Sequence, residues 1–91
     1  MQTILTMQPE AVSVVRSSLE IKKKVLEYTE RQYAARLHAF EKQHGMSSEE
    51  FAAKFDAGEL GDAAEWFEWD YALNAAQEAK RQRDLLASIS L

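Results

Sequence analysis

Leu19-Glu-Ile-Lys-Lys-Lys-Val-Leu-Glu-Tyr-Thr-Glu-Arg-Gln-Tyr-Ala-Ala-Arg-Leu-His-Ala-Phe-Glu-Lys-Gln-His44 is the stretch that decides the fold. It contains no glycine or proline and is dominated by residues that favour helix. Gly45 follows it as a stop, because glycine tolerates the left-handed backbone that ends helices. Ser17-x-x-Glu20 just before it has the form of a capping box, so the helix is expected from about Leu19 to His44. Leu19, Leu26, Tyr33, Leu37, Phe40 and His44 fall within one narrow stripe at helical periodicity, which is the core face. Ile21, Val25 and Tyr28 lie on nearly the opposite side, and Ala35 and Ala39 extend their line. A helix that is apolar on two sides must bury both. One short chain covers one face, so the second requires the N-terminal segment or another polypeptide.

Working outward, Ser47-x-x-Glu50 is a second capping box and opens a short helix from about Ser48 to Ala57, with Phe51 and Phe55 on one face. Gly58 ends it, and Glu59-Leu-Gly61 is a tight connector. Asp62-x-x-Glu65 reads as a third cap, for a helix from about Ala63 to Ser88. Trp66, Trp69, Leu73 and Ala76 form one face of that helix. Phe67 and Tyr71 form another, continued by Leu85 and Ile89. On the N-terminal side, residues 2–7 read as a short strand and Pro9 as a first-turn helix residue. Residues 1–16 are open between strand and helix, and are apolar enough to dock on something. The expected architecture is all-α: an antiparallel hairpin of two long helices joined by a short one over residues 17–91, preceded by a docking segment over 1–16. Such a hairpin buries little by itself, so a dimer is expected.

The 91 residues allow one domain, and 46% apolar with 29% charged residues is a globular composition. The net charge of −4 argues against nonspecific nucleic-acid binding by the chain as a whole. Charge is unevenly placed: residues 1–45 carry seven basic and five acidic side chains, and residues 46–91 four basic and ten acidic. The absence of cysteine excludes disulfides and thiolate metal sites and fits a reducing cytoplasm. Met1–Met7 lacks the basic start and apolar run of a secretory signal, and no uncharged apolar run approaches the ~20 residues of a membrane span.

Trp66-Phe-Glu-Trp-Asp-Tyr71 is the most informative local feature. Four aromatic residues in six helical positions cannot all face one neighbour. Trp66 and Trp69 are expected under Phe40, Phe51 and Phe55 as core. Phe67 and Tyr71 are candidates for a partner surface, rimmed by Glu65, Glu68 and Asp70 as charges that select a basic partner. Ile21, Val25 and Tyr28 are candidates for the same role on the long helix. Read as a metal or acid–base site, Asp62, Glu65, Glu68 and Asp70 lack the paired Glu-x-x-His motifs of a di-iron bundle; a helix start enriched in acids is the plainer account. No metal, cofactor or catalytic set is expected.

Residues 44–70, from His44-Gly-Met-Ser through Gly58-Glu-Leu-Gly-Asp62 to Trp66-Phe-Glu-Trp-Asp70, resemble small prokaryotic antitoxin-like proteins of two-gene toxin–antitoxin modules. The resemblance implies a non-enzymatic bacterial protein that binds and silences a cognate toxin. Some relatives begin with a strand similar to the ribbon of ribbon-helix-helix repressors, which dimerises and reads DNA. Met1–Gln8 occupies that place but contains no Arg or Lys, a departure that weakens the autorepressor alternative. Lys22, Lys23 and Lys24 with Arg16 make a small basic patch that reads as well as a solvated face. Arg31 and His38, seven apart, resemble the spacing of HEPN-type ribonucleases, although any two helical residues seven apart align. A structural homo-oligomer is the remaining alternative.

Overall fold

The computed structural model describes residues 4–91. Its described residues form three helices and no strand: α1 over Pro9–His44, α2 over Ser48–Asp56 and α3 over Ala64–Ala87. α1 and α3 pack against each other as the two long arms of a hairpin, and α2 caps its closed end. The expected strand falls partly on residues 1–3, which lie outside the described residues; residues 4–8 are neither strand nor helix.

The long helix begins ten residues earlier than the capping box at Ser17 predicts. Pro9 stands in its first turn, with Glu10 beside it to complement the helix dipole. Nothing between Pro9 and Ser17 breaks the helix, so Ser17 and Ser18 are carried inside it, and Ser18 Oγ donates to the Val14 carbonyl at 2.9 Å. A cap motif can start a helix but does not interrupt one already running. At the other end Gly45 adopts φ 64°, and its N–H closes on the Glu41 carbonyl. Ser47 caps α2 as predicted, its hydroxyl accepting from the Glu50 N–H at 3.1 Å. The expected cap at Asp62 is not made: Ala63 takes the cap position and no side chain closes it, because α3 starts one residue later than Asp62 can reach.

The expected core stripe of α1 faces α3. Leu26 is buried, and Leu19, Tyr33, Leu37, Phe40 and His44 are half-buried. On α3 the opposing line is Trp69, Ala72 and Ala79, all buried, the two alanines letting the helix backbones approach. The closed end is an aromatic stack. Trp69 lies between Phe40 (5.4 Å between ring centres, 9° between planes) and Phe51 (4.1 Å, 5°). Its indole N–H donates to Ser48 Oγ at 3.1 Å, and the Ser48 N–H donates to the Glu41 carboxylate at 2.9 Å, so both polar groups buried by the stack are satisfied. Towards the open end Arg83, near the end of α3, pairs with Glu30 of α1, Nε to Oε2 at 2.6 Å.

Candidate protein-interaction face

The packing of α1 on α3 leaves a row of large apolar side chains uncovered on each helix. On α1 the row holds Ile21, Val25 and Tyr28, with Val14 beyond them; on α3 it holds Phe67, Tyr71 and Leu85, with Ile89 just past the helix end, and all are between 44% and 66% exposed. Each row sits more than a quarter turn around its helix from the core stripe, because the apolar positions are more numerous than one helix–helix contact consumes. Scattered single apolar residues on a surface need no explanation; the run Ile21, Val25, Tyr28 on α1 and the pairs Phe67/Tyr71 and Leu85/Ile89, separated by the polar Asn74, Glu78 and Arg81, are not scattered.

The rows flank two shallow grooves between the arms. Towards the closed end Arg36, Ala39 and Phe40 of α1 meet Phe67, Glu68 and Tyr71 of α3. Towards the open end Lys22 and Leu26 meet Gln82, Leu85, Leu86 and Ile89. Phe67 keeps an edge-on contact with Phe55 (5.4 Å), and Tyr71 with Tyr33 (6.0 Å), so both aromatics are held in place while half or more of each remains open. Their conformational freedom is thereby already reduced. The predicted acidic rim divides. Glu68 is exposed in the closed-end groove, Asp70 is half-buried, and Glu65 turns inward, its Oε2 at 3.1 Å from His44 Nε2. Glu65 is thus engaged within the chain.

The structure also gathers residues that the sequence reading left outside its candidate set. Leu85 and Ile89 continue the Phe67–Tyr71 row, and Arg36 and Ala39 face it from α1. The periodicity of the third helix pointed to the first two; only the pairing of the arms brings in the others. Arg31 and His38 are both exposed and line none of the described grooves. Among the described residues no three His, Asp or Glu side chains gather where a metal ion could be held, and no helix is long and apolar enough to cross a membrane. Compared with known protein families, curated proteins and solved structures, the chain matches none.

Proposed function

We propose that this chain is a non-enzymatic protein-interaction module whose working surface is the face carrying the two apolar rows. Following the resemblance of residues 44–70, its role is that of an antitoxin that binds and neutralises a cognate toxin in a bacterial cytoplasm. The observation that carries the reading is the exposure of Ile21, Val25, Tyr28, Phe67 and Tyr71 on a chain that buries only five apolar side chains of its own among the described residues. Aromatic anchors at such a surface dominate binding energy, with truncation costing about 2 kcal/mol or more at the strongest positions. Glu68 and Asp70 beside them would steer and select a basic partner.

Phe67→Ala and Tyr71→Ala are expected to weaken capture of the product of the neighbouring gene while leaving the helix content unchanged. Circular dichroism and co-purification read the two quantities separately. Helix loss in both variants, or undiminished capture, would refute the assignment.

A further inference from the structure

The outer side of α1 is patterned more strictly than a surplus of apolar residues requires. Val14, Ser18, Ile21, Val25, Tyr28, Gln32, Ala35 and Ala39 follow one another in alternating steps of four and three. Six of these eight positions are apolar, as on the a/d seam of a helix that packs lengthwise on another, with Ser18 and Gln32 the polar exceptions. The polar positions that flank such a seam are Ser17, Lys22, Lys24, Thr29, Arg31, Arg36, His38 and Gln43. None is acidic, and among the described residues none of Lys22, Lys24, Arg31 and Arg36 takes part in an ion pair. The apolar row of α3 has the opposite character. Glu68 and Asp70 flank it, Glu78 lies within it, and its neighbouring cation Arg81 is taken up by Glu78 at 2.7 Å.

We infer, building on the assignment of this face as a binding surface, that in the protein alone it is covered by a second copy of the chain, with α1 of each copy lying on α3 of the other. Charge selects this arrangement. Packing α1 on α1, parallel or antiparallel, sets lysines and arginines against lysines and arginines, which costs specificity and affinity alike. Packing α1 on α3 sets Arg36 at the height of Glu68, with which it shares the closed-end groove, and keeps the basic flank of α1 away from its own kind. Shape agrees with charge. A two-fold axis parallel to the helices leaves every residue at its own height along the bundle, so the pairs that share a groove within one chain also meet between copies. At the closed end Ala39, which shares a groove with Phe67 and Tyr71 in one chain, then receives the same two side chains of the second copy; at the open end Lys22 and Leu26 share the groove of Leu85 and Ile89, and their exposed neighbours Ile21 and Val25 are set to meet that pair across the axis. The area also suffices. A stable dimer takes about 800 Å² from each partner, and the stretch where the arms run side by side, about 36 Å of α3 across a width of 28 Å, is of that size.

Because the chain has no cysteine, single thiols can map the contact without background. Val25→Cys and Leu85→Cys chains, distinguished by tags of different length, are mixed and mildly oxidised, and the masses of the untagged native chain and of each variant are measured by sedimentation equilibrium. The expected results are a native mass twice 10.4 kDa and a predominant disulfide joining one Val25→Cys chain to one Leu85→Cys chain. Val25→Glu should return the chain to a monomer with unchanged helicity, since Val25 is half exposed in the single chain. A monomeric native chain, or Val25→Cys cross-linking chiefly to itself, overturns the arrangement. A monomer that still captures the neighbouring gene's product would sink the dimer and leave the binding assignment standing; a dimer that captures nothing would do the reverse.

Discussion

Trp69 and Ser48 illustrate how one buried side chain fixes two elements. The indole is fully buried between Phe40 on α1 and Phe51 on α2, and its N–H reaches the Ser48 hydroxyl at the start of α2. Removing the ring should cost about 3–5 kcal/mol, as for other large-to-small changes of buried aromatics. Ser48→Ala keeps the ring but strands its N–H, which should cost about 1–3 kcal/mol. Chemical denaturation of both variants checks the ranking, and equal losses would show that the stack contributes no more than the hydrogen bond. A second residue-scale expectation concerns Glu78, whose carboxyl is drawn from 4.5 to about 2, chiefly by the hydrogen bond from Arg81 and then by that from Gln82. Since the folded value is depressed, this contribution to stability is fully present above pH 4.5 and fades as the pH falls towards about 2. The group is solvent-exposed, so the readout is its own titration rather than the melting of the protein. Carboxyl NMR shifts should place the Glu78 midpoint near 2 in the native chain and return it towards 4.5 in Arg81→Ala.

At the scale of elements, the helices and their ends were legible to different degrees. Gly45, the Ser47 cap and the core stripe from Leu19 to His44 could be read because each rests on local chemistry: a left-handed residue, a short side chain one turn from a free N–H, a repeat of 3.6 residues. The start of α1 was not, because Ser17-x-x-Glu20 satisfies the pattern of a beginning without being one, and only the uninterrupted helix on its N-terminal side decides the matter. The candidate face was legible in halves. Phe67 and Tyr71 stood out by crowding, and Ile21, Val25 and Tyr28 by facing away from the core. That Ala39 and Arg36 share a groove with Phe67 depends on the register of two helices distant in sequence, which periodicity does not encode. The turn after α1 offers the test at this scale. Gly45 stands at φ 64° with open space where a Cβ would be, so Gly45→Ala is strained by its backbone alone. The expected loss is about 1–2 kcal/mol, the usual cost of a left-handed residue with a side chain, and Gly45→Asn should lose less. Thermal melts of the pair decide whether the turn or its surroundings govern the effect.

The whole molecule is long for its size. Its radius of gyration is 18.0 Å, whereas a compact chain of this length has about 12 Å. α1 alone spans about 54 Å and α3 about 36 Å, so the N-terminal turns of α1 project past its partner helix. The contact of Arg16 with the Leu91 carbonyl at 3.3 Å marks where the two arms cease to run together. Buried side chains are concentrated at the closed end, where Phe51 and Trp69 are fully enclosed, while the open end depends on Leu26, Ala79 and the Glu30–Arg83 pair. Opening is therefore expected to start at the free ends of the arms and travel towards α2, with amides before Arg16 exchanging first.

Trp66 and Trp69 both lie in the stack beside α2, and the chain has no other indole. Intrinsic fluorescence is accordingly a reporter of one end of the rod and is blind to the other. Early in a denaturant titration the far-ultraviolet ellipticity should fall while the emission wavelength stays put. Coincident curves would mean that the molecule melts as a single unit from tip to tip.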